Sequence, residues 1–206
     1  MPNDHYYTSA PTSAHKTAYV EMTYRDHALR FETDSGVFSR TELDRGTEVL
    51  LDSLPDEVGG AVLDMGCGWG VIGVAVGKHW PGTVITMADI NQRACDLSRK
   101  NADANGVQAS VIESDGYEKV LGNRYDLILQ NPPIRAGKAV IYKMFADASV
   151  CLAESGELWL VIRKQQGAPS AITYLKTLFG DVETVEKKSG FWIIRCREPI
   201  KTTEDE

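Results

Sequence analysis

Val62-Leu63-Asp64-Met65-Gly66-Cys67-Gly68-Trp69-Gly70 is a short apolar run that passes into G-x-G-x-G. Val71 to His79 follows it as a helix. Glycines at such a turn let the chain reverse sharply and bring its backbone close to a ligand. The third glycine comes one residue earlier than in G-x-G-x-x-G, which disfavours a dinucleotide site. Asp64 stands at the strand end, where a carboxylate could pair a cationic ligand group.

Toward the C-terminus the same unit repeats. Strand Val84 to Ala88 leads to helix Gln92 to Asn105, with Gly106 placed where a left-handed cap is expected. Strand Ala109 to Glu113 follows, then strand Asp126 to Leu129 and helix Lys138 to Leu152. Strand Glu157 to Ile162 and helix Ser170 to Phe179 come next. Val182 to Glu186 and Phe191 to Cys196 read as an antiparallel pair about Ser189-Gly190. Strands that alternate with helices specify an α/β, Rossmann-like, largely parallel sheet covered on both faces. Ligands of such sheets bind beyond the carboxyl ends of the strands.

Toward the N-terminus, Val20 to Tyr24 and Leu29 to Thr33 form a hairpin about Arg25-Asp26-His27, and Arg40 to Leu54 reads as an amphipathic helix. The expected organisation is a flexible segment at 1–18 and a catalytic domain at 19–200. The hairpin and helix form an N-terminal extension of that domain at 19–58, and an acidic tail occupies 201–206.

The polar residues at successive strand ends form a series. Asp89 and Ile90 follow the second strand of the repeat, and an acid there can accept hydrogen bonds from both hydroxyls of a ribose. Ser114-Asp115-Gly116 follows the third, where a carboxylate could accept from an adenine amino group. Asp and Gly also favour ordinary turns, so the series carries more weight than any one member.

The fourth strand end is Asn131-Pro132-Pro133-Ile134. Two prolines stiffen this turn. An aromatic amino group is a poor nucleophile because its lone pair is delocalised into the ring. The Asn131 side-chain carbonyl and the Pro132 backbone carbonyl could each accept an N–H from it. That would draw the nitrogen toward tetrahedral geometry and stabilise the positive charge building on it. Fixed geometry of this kind is worth about 7–11 kcal/mol of barrier.

The order V-L-D-x-G-C-G-x-G, Asp89, Asp115 resembles the class I S-adenosylmethionine (SAM) dependent methyltransferases, over residues 60 to 197. The resemblance implies a seven-stranded sheet with its last strand inserted antiparallel. It also implies SAM as cofactor and S-adenosylhomocysteine as product. Asp64, Gly66, Cys67, Gly68 and Gly70 would hold the methionine part, Asp89 and Ile90 the ribose, and Ser114, Asp115 and Gly116 the adenine. Asn-Pro-Pro-x resembles the motif of enzymes acting on planar nitrogens, whose acceptors are adenine N6, guanine N2 and a protein glutamine amide.

Asp34-Ser35-Gly36-Val37-Phe38-Ser39, Asp44-Arg45-Gly46-Thr47, Pro133 to Lys138 and Val161 to Ala168 narrow the likeness. They are similar to the small-subunit ribosomal RNA guanine-N2 methyltransferases of the C type, in a compact single-domain form. This likeness implies that Phe38, Asp44, Thr47 and Asn131 lie near the cofactor and that Arg135, Lys138, Arg163 and Lys164 contact RNA phosphates. Tyr6, Tyr7 and Tyr142 are candidates for stacking on a base.

Composition sets the outer bounds. With 206 residues, 43% hydrophobic and 25% charged, the chain can bury a core of ordinary size. No apolar run approaches the roughly 18 residues that span a bilayer, and Met1 to His15 lacks the apolar stretch of a signal peptide. A cytoplasmic monomer is the expectation. Four scattered cysteines and four scattered histidines make no metal-ligand spacing. The net charge of -7 runs against a generic nucleic-acid binder. It keeps two other readings open: an N-methyltransferase acting on a protein glutamine or a small molecule, and a non-catalytic RNA-binding assembly factor.

Overall fold

The computed structural model of the protein describes residues 14–39 and 41–200. Tyr6, Tyr7, most of the expected flexible segment and the whole acidic tail lie outside the described residues.

The hairpin forms as β1 (Ala18–Tyr24) and β2 (His27–Thr33), joined through Arg25, whose φ is 49°. Its inward residues Val20, Tyr24, Leu29 and Phe31 are buried. The next helix, α1 (Arg45–Asp52), starts later than Arg40 for a local reason. Asp44 has extended backbone, and its carboxylate accepts the Thr47 N–H at 2.9 Å, so the cap falls there.

Seven strands then build one sheet: β3 (Ala61–Met65), β4 (Val84–Asp89), β5 (Ala109–Glu113), β6 (Tyr125–Gln130), β7 (Leu152–Arg163), β8 (Phe179–Lys188) and β9 (Phe191–Pro199). Their order is β5-β4-β3-β6-β7-β9-β8. All neighbours are parallel except that β9 runs antiparallel between β7 and β8. The strand order reverses between β3 and β6, so a crevice opens at their carboxyl ends.

Alternation along the strands divides the core. Val62, Leu127, Leu129, Trp159 and Val161 face one side, under α1, α2 (Val71–His79), α3 (Gln92–Ala104) and the hairpin. Leu63, Met65, Ile128, Leu158 and Leu160 face the other, under α4 (Lys138–Cys151) and α5 (Ala168–Leu175). The hairpin is therefore part of the first core. Asn101 of α3 fastens it further, donating to Glu32 O at 2.9 Å and accepting from Glu32 N at 2.7 Å.

Several further boundaries differ from the sequence expectation, two of them for reasons visible in the backbone. β7 begins at Leu152, five residues before Glu157, because a register shift lets Leu152 pair with Tyr125. Gly156 passes so close that a Cβ there would lie 2.6 Å from Tyr125 O. α5 stops at Leu175, because beyond the last α-type bond, Lys176 N to Ile172 O, the N–H groups of Thr177 and Leu178 tighten onto the i−3 carbonyls of Tyr174 and Leu175. The buried Phe179 then opens β8.

Candidate active site

One large cavity, about 660 Å³, lies at the carboxyl ends of β3, β4, β5 and β6. Its wall nearest β3 is the glycine loop. Gly66 and Gly68 have φ of 75° and 56°, and their N–H groups bond to Ala88 O and Asp89 Oδ2 at 2.8 and 2.9 Å. A side chain at either position would force a strained backbone. Gly70 lies behind this wall as the left-handed cap of α2, pressed on Ser98. Cys67 lines the cavity, but burial, with Asp89 and Asp64 nearby, pushes its thiol well up, so it is no nucleophile.

Asp64 stands at the carboxyl end of β3, as expected, but its side chain does not face the cavity. It is fully buried under the loop and absent from the cavity wall. Strand alternation turns it toward α2, where Oδ2 accepts the Gly73 N–H at 2.9 Å while Oδ1 is buried without a partner. Burial pushes its carboxyl up to about 7, against the Gly73 bond and with help from Asp89. Its contribution to a ligand acts through the loop it supports.

Asp89, half-buried on the cavity wall, is oriented by Gly68 N and Asn91 N at 2.9 Å each. Burial pushes its carboxyl up to about 6. Ile90, Ser114, Asp115 and Gly116 line the same cavity. Ser114 Oγ donates to Gly116 O and accepts from Lys119 N, which folds the β5 turn inward.

Phe38 belongs to a lip that the sequence did not explain. Trp69 Nε1 donates to Phe38 O at 2.8 Å, Asn91 Nδ2 to Gly36 O at 2.9 Å and Arg93 to Ser35 O at 2.6 Å. The segment 34–39 is thus clamped onto the start of α3 and the glycine loop. Tryptophan and asparagine side chains bonding to backbone leave no sequence signature.

The β6 end closes the cavity. Asn131, Pro132 and Pro133 line it. Asn131 Nδ2 donates to Asp44 Oδ2 at 2.9 Å and to Thr47 Oγ1 at 3.0 Å. A carboxylate can only accept, so the amide nitrogen must face Asp44. Both amide hydrogens are then used, and Oδ1 remains as the acceptor at this corner of the cavity. Ile134 is not on the cavity wall; it packs against the α4 core. Arg135, Lys138, Arg163 and Lys164 are exposed and outside the cavity. Tyr142 is stacked on Tyr174 at 4.1 Å between centroids, so one of its faces is already covered.

Together the walls offer a slot for a nucleoside carrying a charged arm, and a neutral acceptor oxygen beside it. Among the described residues no cluster could hold a metal ion, and no helix is long and apolar enough to cross a membrane.

Comparisons with known proteins agree with this geometry. The profile of the methyltransferase small domain matches residues 28–195. The Bacillus subtilis protein YbxB is 41% identical over 199 residues, 95% of this chain and 99% of that one. A Haemophilus influenzae ribosomal RNA small subunit methyltransferase C is 36% identical over 160 residues, 76% of this chain and 47% of that protein. The chain thus spans about half the length of the C-type relatives it matches. Among solved structures, a T. thermophilus 16S rRNA N2 methyltransferase (RsmC), in complex with AdoMet and guanosine, shares the fold. Its TM-score is 0.80 at 23% identity, covering 91% of this chain and 52% of that one.

Proposed function

The chain belongs to the methyltransferase small domain family, and from that premise we propose that it methylates a planar exocyclic amino nitrogen, guanine N2 of ribosomal RNA. It is a SAM-dependent methyltransferase. The cavity fits this cofactor. The glycine wall gives backbone close approach, Asp89 offers a half-buried acceptor for ribose hydroxyls, and the Asp115 turn stands at the far end. Carboxylates suit a cationic ligand. When bound, SAM supplies an electrophilic methyl group on a positively charged sulfur.

The observation that carries the reading is the fixed amide of Asn131. With Nδ2 held by Asp44 and Thr47, Oδ1 accepts an N–H of the acceptor amino group and directs its lone pair across the cavity. The Pro132 carbonyl takes the second N–H. Neutral, pre-aimed oxygens stabilise charge growing on nitrogen without reorganising. The proton leaves to water once the nitrogen is cationic, and no strong base is needed. Pro133 keeps the turn rigid.

The guanine assignment is supported by the names of the C-type relatives. The cations Arg135, Lys138, Arg163 and Lys164 support it too, since they stand outside the pocket on its carboxyl-end side and would hold phosphates. A base in a helix must first leave its stack, at a cost of a few kcal/mol, so an exposed nucleotide is the favoured target. The net charge of -7 favours a second reading, a glutamine amide or small-molecule acceptor at the same Asn131.

One experiment separates them: radiolabelled methyl transfer from SAM into protein-free rRNA and into protein fractions, followed by nucleoside analysis. Label in N2-methylguanosine supports the proposal. Label in N6-methyladenosine, or in RNase-treated protein alone, overturns it.

A further inference from the structure

We propose that the tip of the β8–β9 hairpin, with the end of β7, is an RNA-docking element outside the pocket that grips the phosphodiester backbone beside the target nucleotide. The inference deepens the RNA reading above and rests on it.

The pocket itself repels RNA. Asp44, Asp89, Asp115, Glu118 and Asp147 line it. Lys143, the one basic side chain among the described lining residues, is bonded to Asp147 at 2.6 Å. With the whole chain at -7, a polyanion needs a local landing site.

That site lies at the β7–β9–β8 edge, where Phe191 packs on the α1 side of the sheet and Trp192 on the α5 side, so the cations flank both faces of the hairpin tip. β7 and β8 both end at the carboxyl edge of the sheet, which brings Arg163, Lys164 and Lys187 to the edge that also carries Asn131. Lys164 N bonds to Gly190 O at 2.9 Å, tying the β7 end to the hairpin tip. Arg163 lies over Phe191 at 4.7 Å and Lys187 over Trp192 at 4.4 Å. Aromatic faces hold both cations in place, and among the described residues neither has a carboxylate oxygen within 4 Å, so less side-chain freedom is lost when a phosphate arrives. The acids of this tip are Glu186, whose Oε1 accepts Lys187 N, and Asp52, which pairs with Lys188 at 3.4 Å. Among the described residues neither acid is ion-paired with Arg163, Lys164 or Lys187.

The tip adjoins the chemistry. A Cβ on Gly46 would lie 2.9 Å from both Phe191 Cε1 and Asp44 Oδ2. Arg163 therefore stands one ring away from the carboxylate that holds Asn131. Cations on this side and carboxylates on the other, at Asp115 and Glu118, direct the backbone across the β7–β9–β8 edge.

The test is the salt dependence of binding of a short fluorescein-labelled single-stranded RNA to the full chain, read by anisotropy. Each phosphate contact removed lowers the slope of log K against log salt by about 0.7 for a single strand. Lys164→Gln with Lys187→Gln should lower it by about 1.4 and weaken binding several-fold. Lys176→Gln, an exposed lysine just beyond α5 at the opposite edge, should change neither. SAM affinity by calorimetry should match the parent in all variants, which reports that they fold. An unchanged slope in the double variant, or a parent that does not bind RNA, overturns the inference. N2-methylguanosine forming while the slope stays unchanged would sink the docking element alone. A lowered slope with label only in adenine or protein would sink the guanine reading alone.

Discussion

Asp44 Oδ2 accepts from Asn131 Nδ2 at 2.9 Å while it also accepts from Thr47 N at 2.9 Å. One oxygen therefore caps α1 and fixes the amide that faces the acceptor, although 87 residues separate the two side chains. Asp44→Ala should lose about 1 kcal/mol of stability, the usual cost of an N-cap. It should also lose roughly 10- to 100-fold in kcat, because a small misplacement of a reacting group is that costly. SAM affinity should hold. Calorimetry, urea midpoints and steady-state kinetics on one preparation check all three, and a kcat equal to the parent's would show that the contact does not position Asn131.

Asn131→Ala removes the acceptor oxygen itself. About 10²- to 10³-fold in kcat is the usual cost of losing one pre-aimed hydrogen-bonding group. SAM binding should persist, since the cofactor walls belong to other strands. Near-parental turnover would mean that the amino group is held elsewhere.

Asp89 is held near 6 by burial, so its carboxylate is present above that pH. SAM affinity should fall as pH drops through 6, roughly tenfold by one unit below it, as the acceptor for the ribose hydroxyls is protonated. Asp89→Asn should bind SAM more weakly at pH 7.5 and lose this pH dependence. Titration calorimetry at pH 5 and pH 7.5 decides it, and identical pH profiles for parent and variant would count against Asp89.

Asp64 makes a prediction about stability. Its folded carboxyl, near 7, lies above the ordinary value of 3.8. Between these limits the folded state binds a proton that the unfolded state does not, so the group's contribution is fully present below about pH 4 and lost as pH rises through 7. The full span is on the order of 4 kcal/mol. The stability of the parent minus that of Asp64→Asn should fall across this window and level off above it. Urea unfolding at pH 4.5, 6 and 8 measures it; a constant difference would mean that Asp64 is not titrating in the interior.

What the sequence made legible follows from period and spacing. Every strand and helix of the sheet was visible because apolar alternation and helical period are local, and Asp89, Asp115 and Asn131 were visible because strand ends are. Long-range pairing was not. Asp44 falls inside the helix expected from Arg40, and nothing local couples it to Asn131. Asp64 reads as a ligand group until alternation along β3 turns it under α2. Ile134 sits in a motif that suggests contact with the acceptor, yet an apolar branched side chain beside α4 gains more from burial in that core. Arg163 and Lys138 read as phosphate contacts, but nothing local shows that Phe191 and Tyr142 lie beneath them.

Gly46 offers the sharpest check on the coupling at Asp44. It is absent from the cavity wall, and the atoms nearest to where its Cβ would stand are Asp44 Oδ2 and Phe191 Cε1, each at 2.9 Å. Alanine is otherwise the better helix former by about 1 kcal/mol, so Gly46→Ala need not unfold the protein. The buried ring of Phe191 resists displacement, and the carboxylate is the softer neighbour. Asp44 should rotate, release Asn131 Nδ2 and lower kcat about tenfold while SAM affinity stays as it was. Because both changes act through one contact, Gly46→Ala placed on Asp44→Ala should cost far less in kcat than it does alone. A fully additive double-mutant cycle would mean that Gly46 and Asp44 reach the acceptor by separate routes, and Asp44 would then be no more than a cap.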